Sequence, residues 1–464
     1  MEHPSASNMN IEGVDDETKQ NVDDRFIANH QYTSSFPPPP EGEEKVEIGQ
    51  NPPSPPTSTE FIPPNGGLEA WLLVVALFLI FANTWGTTST FGAFQAFYIR
   101  DLLSTESTSA ISWIGSVQAF LVVFIGVFAG PLFDMGWIRP MVFSGSFLTV
   151  FGMFMTSVSH SYYQVFLAQG VCVGFGSGLT YVPTLAIVSK YFTTRRPIAI
   201  GAGAVGSSVG GVVFPIMFRQ LQPRIGFGWT VRSLAFINLA FAVVACVILG
   251  RHAGQKTRQA RSLVDTAAFR SAVFVQWTLA LFMLYLAYYV PLFFIVSYSR
   301  YGLGSGEDFA FYMLAVLNGS STVGRTVPYL LGQKVKPIYT LIFSSLLGVI
   351  LLFSWIAVHT RPAFVVWCVL WGFVAGVLVT APTSTVAHPL LSPSLDVVGT
   401  RLGMSWSAAS IGTVIGAPIA GVLVDVSTGN FVHGQVFGGA VMAAGAAFLI
   451  WPLIAIERYD RRKG

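Results

Sequence analysis

The chain has 464 residues, of which 52% are hydrophobic and 11% charged, against about 25% charged in an ordinary soluble domain; that balance excludes a soluble globular protein and points to the lipid bilayer. Cys172, Cys246 and Cys368 lie far apart in apolar segments, which excludes a disulfide framework or a cysteine metal site and makes them small core residues. The net charge of +3 conceals an asymmetry, because residues 1–66 hold twelve acids against Lys19, Arg25 and Lys45, while the remainder holds eleven acids and twenty-three bases.

Residues 1–66 contain no apolar stretch of the kind a signal peptide needs, so this part is expected to stay in the cytosol. Its runs FPPPPEGEE and NPPSPPTSTE are proline-rich, acidic and poor in apolar residues, and cannot bury enough surface to offset the entropy of ordering. The expectation is a disordered tail. A polyproline ligand or phosphorylation at Ser54 and Thr57 is the functional alternative.

From Trp71 onward, apolar segments of membrane-spanning length recur at 71–98, 109–131, 138–158, 161–189, 197–218, 228–249, 272–298, 309–332, 338–358, 363–387, 401–425 and 435–456. Lipid offers no partner to backbone groups, so each segment is helical. The expected fold class is an all-α membrane protein of twelve transmembrane helices in two six-helix halves, at 67–250 and 271–457. A cytosolic linker loop at 251–270, containing RHAGQKTRQAR, separates the halves, and a basic cytosolic tail occupies 458–464. With the N-terminus inside, the inner loops and tail hold sixteen Lys and Arg; the outer loops hold six, Arg100, Arg219, Arg224, Arg232, Arg300 and Arg361. That bias places both termini in the cytosol, in an integral multi-pass protein expected in the plasma membrane.

The halves resemble each other. Arg196 precedes a helix containing GSSVG at 206–210 and Pro215, and Arg401 precedes one containing GTVIG at 412–416 and Pro418. Both are small-xxx-small surfaces that let helices approach closely, and their recurrence in the fifth helix of each half indicates a parallel duplication. Two nucleotide-site look-alikes fail on context. GSSTVGRT at 319–326 nearly matches a phosphate loop and GAGAVG at 201–206 matches a dinucleotide fingerprint, yet both lie in apolar runs with no strand before them, as those motifs require.

Residues 130–140, GPLFDMGWIRP, resemble the loop after the second helix of the major facilitator superfamily, with a spacing one residue shorter. The resemblance implies a conformational latch on the cytosolic face involving Gly130, Asp134 and Arg139, with Arg195, Arg196 and Arg401 at the same face. GGLEAW at 66–71, NTWG at 83–86, FGAFQ at 91–95, SWIGSVQ at 112–118, KYFTTRRPIAIG at 190–201, GWTVR at 228–232 and GTRLGM at 399–404 together make everything after residue 66 similar to the fungal branch of the monocarboxylate porter family. In animal members a first-helix lysine and an acid one turn before an eighth-helix arginine take part in proton-coupled carboxylate transport. The matching positions here are Ser89 and Ser321; Arg325 is retained, and Gln333 stands where the second half usually has an inner-loop aspartate.

Between Asp308 and Lys334 lie twenty-five residues with one charge, Arg325, roughly 13 Å from the cytosolic end and so near mid-bilayer. An arginine there costs at least about 2.5 kcal/mol, so it should face a polar cavity; the plainer alternative has it bonding to backbone carbonyls or snorkelling to the surface. Asn318 and Ser321 fall on the same helical stripe. An anionic substrate would supply the missing charge through two parallel hydrogen bonds. Asn83, Ser89, Gln118, Tyr285, Tyr288 and Tyr289 are further cavity candidates, each with a packing role as its alternative, while Trp406 and the phenylalanines read as core or lipid-facing residues.

The expected function is a secondary active or facilitative transporter that moves a small organic anion or carboxylate-bearing metabolite by alternating access, as a monomer in the lipid bilayer. No cofactor, metal or nucleic-acid partner is expected. Proton coupling stays open, because no Asp or Glu falls at mid-depth. The alternatives are a carrier of a larger neutral fungal metabolite or vitamin, and a non-transporting nutrient sensor of the same fold. An enzyme is not expected, since no paired carboxylates, His-metal cluster or activated nucleophile lies at depth.

Overall fold

A computed structural model describes residues 65–192, 194–251, 262–331 and 335–463; the expectations for residues 1–64, for 252–261 and for Gln333 lie outside the described residues. The helices are α1 (Leu68–Leu102), α2 (Thr108–Asp134), α3 (Ile138–Val158) and α4 (Tyr162–Tyr191), then α5 and α6 within the continuous stretch Arg196–Arg251. They continue as α7 (Ala272–Gly302), α8 (Glu307–Leu331), α9 (Pro337–Ala357), α10 (Arg361–Thr385), α11 (Leu395–Leu423) and α12 (Val432–Arg462). Among the described residues ten helices are long and apolar enough to cross a membrane. One of them divides into α5 and α6, and the more polar α8 completes the twelve.

Local chemistry explains the starts and the one fold-back. Ser107 and Ser271 accept hydrogen bonds from the backbone N–H of Ala110 and Phe274, each satisfying a donor that a helix N-terminus leaves unpaired. Proline occupies the first turn of α9 and α10, where its missing N–H is not needed. Between α5 and α6 the sequence implies a loop at 219–227, but helix continues to Gly226, whose φ of 78° turns the chain in one residue. Glycine adopts that conformation without a Cβ clash, so no longer connection is required.

The two halves are built alike. α1 packs on α5, α2 on α4 and α3 on α6, and six helices later α7 packs on α11, α8 on α10 and α9 on α12. The small-residue surfaces sit where the first of these pairs meet. A Cβ on Gly206 would fall 2.0 Å from Phe78 O of α1, and one on Gly416 would fall 2.0 Å from Leu286 O of α7. The duplication extends to a feature periodicity does not announce: α1 ends in a π-helical turn at Tyr98–Leu102 and α7 in another at Tyr298–Gly302, each carrying a Tyr-x-Arg sequence.

The halves meet where α2 lies on α11 and α5 on α8, and where the end of α1 reaches α7. Ser109 donates to Pro418 O across the α2–α11 seam at 2.9 Å, and Asn318 donates to Gly211 O across the α5–α8 seam at 3.1 Å. The molecule thus has a terminal end, where α1 begins and α12 finishes, and a distal end carrying the α1–α2 and α7–α8 connections.

Candidate functional site

The distal end is closed by charge. Glu307, in the first turn of α8, accepts hydrogen bonds from Arg100 of α1 and Arg300 of α7, and Arg219 of α5 approaches it at 3.0 Å. Arg219 also donates to Asp308 at 2.9 Å, and Arg100 to Asp101 at 2.6 Å. Arg100 and Arg219 belong to one half and Glu307 to the other, so the cluster joins the halves. Burial opposes ionisation of Glu307, but the Arg300 hydrogen bond and the fields of Arg100, Arg300 and Arg219 outweigh it and hold the carboxyl below its usual pKa. Beneath the cluster Phe91 meets Phe293, and Phe218 stacks on Phe311.

Arg325 lies deeper, on the α5–α8 seam. Its direction follows from two glycines: a Cβ on Gly324 would fall 2.0 Å from Phe373 O, and one on Gly376 would fall 2.7 Å from Arg325 N. Backbones of α8 and α10 therefore touch, leaving no room for a side chain between them. The guanidinium extends instead towards α5, where Nη1 donates to Ser207 Oγ, about three turns into that helix. Its Nε is buried without a hydrogen-bond partner, and no carboxylate pairs with it among the described residues.

Aromatic rings surround this cation. Tyr285, Tyr288 and Tyr289 of α7 lie within its electrostatic reach. Tyr285 stacks on Tyr288 with centroids 5.1 Å apart, Tyr289 stands edge-on to Tyr288 at 4.9 Å, and Trp406 of α11 stands edge-on to Tyr285 at 5.1 Å. From the other half, Tyr181 of α4 lies in the field of Tyr285 and Tyr289, and Phe81 and Trp85 of α1 stand edge-on to it at 5.2 and 5.5 Å. Trp85, Tyr181, Arg325 and Trp406 are half-buried.

Five expected cavity residues are buried, four of them in hydrogen bonds to neighbouring groups. Asn83 donates to Asn238 O of α6 at 2.9 Å, and Gln118 reaches Thr88 Oγ1 at 3.4 Å. Asn318 donates to Gly211 O and Leu314 O, and Ser321 donates to Asn318 O at 2.8 Å. Ser89 is buried like the other four. The donors of Asn83, Gln118, Asn318 and Ser321 tie neighbouring groups together, as buried amides and hydroxyls need partners. Of the expected stripe on α8, Arg325 alone retains free donor capacity.

At the terminal end, three of the residues expected to form a latch bond to nearby segments. Arg139 donates to Gly250 O at 3.1 Å, tying α3 to the end of α6, and Arg196 donates to Phe192 O at 3.0 Å. Arg401 is buried, donates to Asp265 at 2.8 Å and Leu391 O at 2.7 Å, and lies over the Phe274 ring. Its hydrogen bond lowers the pKa of Asp265. Asp134 is buried at the end of α2, Arg195 is exposed, and a Cβ at Gly130 would meet open space. Ion pairs that join the halves are found at the distal end.

This arrangement, two matched six-helix halves joined by ion pairs at one end, agrees with comparison to known proteins. A sequence profile described as Major Facilitator Superfamily matches residues 76–392. The chain belongs to the Major Facilitator Superfamily. Such a chain is an integral multi-pass membrane transporter. Its relatives include the MFS-type transporter dbaD of Emericella nidulans, 36% identical over 378 residues, covering 80% of this chain and 84% of that protein. The aspyridones efflux protein apdF of the same organism is 36% identical, covering 86% and 80%, and the agnestins efflux protein AgnL12 of Paecilomyces divaricatus is 32% identical, covering 87% and 90%. The crystal structure of the nucleoside transporter NupG superposes with a TM-score of 0.63 at 12% identity, covering 83% of this chain and 99% of that one; it shows the fold alone. The names of apdF and AgnL12 speak of efflux, and none of these names mentions a monocarboxylate.

Five contributors to this transporter's central and distal sites escape sequence reasoning: Ser207, Trp85, Tyr181, Trp406 and Glu307. The repeated Tyr-x-Arg ends of α1 and α7 could have flagged the distal cluster. Nothing in the sequence distinguishes Trp406 or Tyr181 from other rings in apolar helices.

Proposed function

We propose that this superfamily member is an efflux transporter for an organic acid, working as a monomer and taking its cargo from the cytosol across the plasma membrane. The observation that carries the reading is Arg325, a cation between the halves with a buried, unpartnered Nε and no counter-ion among the described residues. A charge so placed costs about 2.5 kcal/mol or more unless an anion offsets it, and the guanidinium fork fits a carboxylate. The excess of basic residues at the terminal end makes that end cytosolic, so a closed distal end corresponds to the loading state of an exporter. The two efflux names among the relatives point in the same direction.

A solute or proton gradient supplies the drive. Both look-alike nucleotide motifs lie inside transmembrane helices, residues 319–326 in α8 and 201–206 in α5, where backbone N–H groups are already paired and cannot cradle phosphate.

The test begins with untargeted metabolite profiling of cells lacking or overproducing the protein, followed by flux of the leading compounds in proteoliposomes. Acids should dominate the difference. A hydrogen bond to a charged group contributes about 1.5–3 kcal/mol, so Arg325→Gln should lower acid flux roughly ten- to hundredfold at normal membrane abundance, with Arg325→Lys intermediate. Export of neutral compounds, unaffected by Arg325→Gln, would sink the reading and favour a carrier of neutral metabolites.

A further inference from the structure

We infer that the central site selects flat aromatic acids bearing ring oxygens; this rests on the anion-carrier reading above and adds the class of acid. Phenylalanine outnumbers tyrosine and tryptophan together in this chain, 38 against 15 and 11. The distal closure follows that bias, with Phe91 meeting Phe293 and Phe218 stacking on Phe311. Around Arg325 tyrosine and tryptophan predominate: Tyr285, Tyr288 and Tyr289 lie in its reach, Trp406 stands edge-on to Tyr285 and Phe293 packs on Tyr289, while Tyr181, in the field of Tyr285 and Tyr289, meets Trp85 and Phe81 edge-on. They come from α1, α4, α7 and α11, two helices of each half, so both halves contribute to one aromatic lining.

Arg325 accounts for the acid group. Ring faces account for flatness, because aromatic pairs gain from offset stacking and edge contact in a way a saturated skeleton cannot reproduce. The Tyr285–Tyr288 stack, with planes 22° apart, provides such a surface. The hydroxyls account for the oxygens. Tyr285 donates to Leu378 O at 3.4 Å, whereas among the described residues neither Tyr288 nor Tyr289 forms a side-chain hydrogen bond, and neither hydroxyl is a fully buried unpaired atom. These hydroxyls are therefore not fully sealed by the protein and can donate to, or accept from, a phenol or carbonyl on the cargo.

Binding to the purified full-length protein in lipid nanodiscs, followed by calorimetry, separates the three contributions. The probes are 3-hydroxy-2-naphthoate, 2-naphthoate, its saturated counterpart decahydro-2-naphthoate, and the uncharged 2-naphthalenemethanol. We expect 2-naphthoate to bind about tenfold more tightly than the saturated acid. Tyr181→Leu and Trp406→Leu should erase most of that ratio while preserving the preference for acid over alcohol. Tyr288→Phe and Tyr289→Phe should remove the advantage of the hydroxylated probe and leave the ring ratio intact. These two conserve ring and volume, and so remain informative if a leucine variant fails to fold. Arg325→Gln should remove only the preference for acid over alcohol. Equal affinity for the flat and the saturated acid, or a ring ratio untouched by folded leucine variants, overturns the inference and leaves the anion carrier standing. Absence of any acid preference in the unmodified protein overturns the carrier reading itself.

Discussion

Replacing Glu307 with Gln removes the negative centre of the distal cluster while preserving its shape. Two contacts cross between the halves at this residue, from Arg100 and from Arg219. Arg219 keeps Asp308 at 2.9 Å, so one crossing pair survives and the lost stabilisation comes mainly from Arg100. The side chains are 30% exposed at Arg100, 18% at Arg219 and 25% at Glu307, between the exposed regime, at up to about 1 kcal/mol, and the buried one, where stranding a partner costs about 3–5 kcal/mol. A loss of about 2 kcal/mol shifts the balance between distally closed and open states roughly thirtyfold. Ala310 lies fully buried beside the cluster, so Ala310→Cys in a background with Cys172, Cys246 and Cys368 replaced by Ser reports opening through its reaction with a membrane-impermeant maleimide. Labelling should rise about thirtyfold with Glu307→Gln, and far less with Arg300→Gln, because Arg300 and Glu307 sit in the same half and separate in neither state. An unchanged labelling rate in Glu307→Gln, or an equal rise in both variants, would refute the latch.

The same carboxylate sets a pH window. Its pKa is depressed in the closed state, so its contribution is complete above the ordinary glutamate value of about 4.3 and disappears as pH falls through the lowered one; spin-label distances between Ser104→Cys and Ser305→Cys should stay constant from pH 8 to 5 and lengthen only below about pH 4. Gly416→Ala would push a Cβ to 2.0 Å from Leu286 O, and should lower the melting temperature in detergent at a cost of about 1–3 kcal/mol. Gly319→Ala, whose nearest neighbour is Val212 at 3.8 Å, should not lower it. For orientation, Ser262→Cys should label only from the cytosolic side and Gly306→Cys, at an exposed position with open space around a Cβ, only from outside; the reverse pattern would invert the proposed direction of transport.

The count of spans, their helical state and the oddity of Arg325 were legible in the sequence because each rests on a local balance. A segment of about 20 apolar residues partitions into lipid on its own composition, and a charge within one is conspicuous wherever its neighbours lie. The glycine surfaces of α5 and α11 were legible for a similar reason, since a missing side chain announces close approach without naming the partner. Tertiary structure alone decided the partners. Helical periodicity put Asn318, Ser321 and Arg325 on one stripe, yet Asn318 was taken up by Gly211 O and only Arg325 kept donors to spare. Asn83 turned to α6, while Trp406, indistinguishable in sequence from a lipid-facing ring, came to rest against Tyr285. Glu307 drew its arginines from three other helices, with Arg100 and Arg219 in the opposite half. Periodicity fixes which face of a helix a side chain occupies, but the helix that covers that face is chosen by packing across the whole bundle.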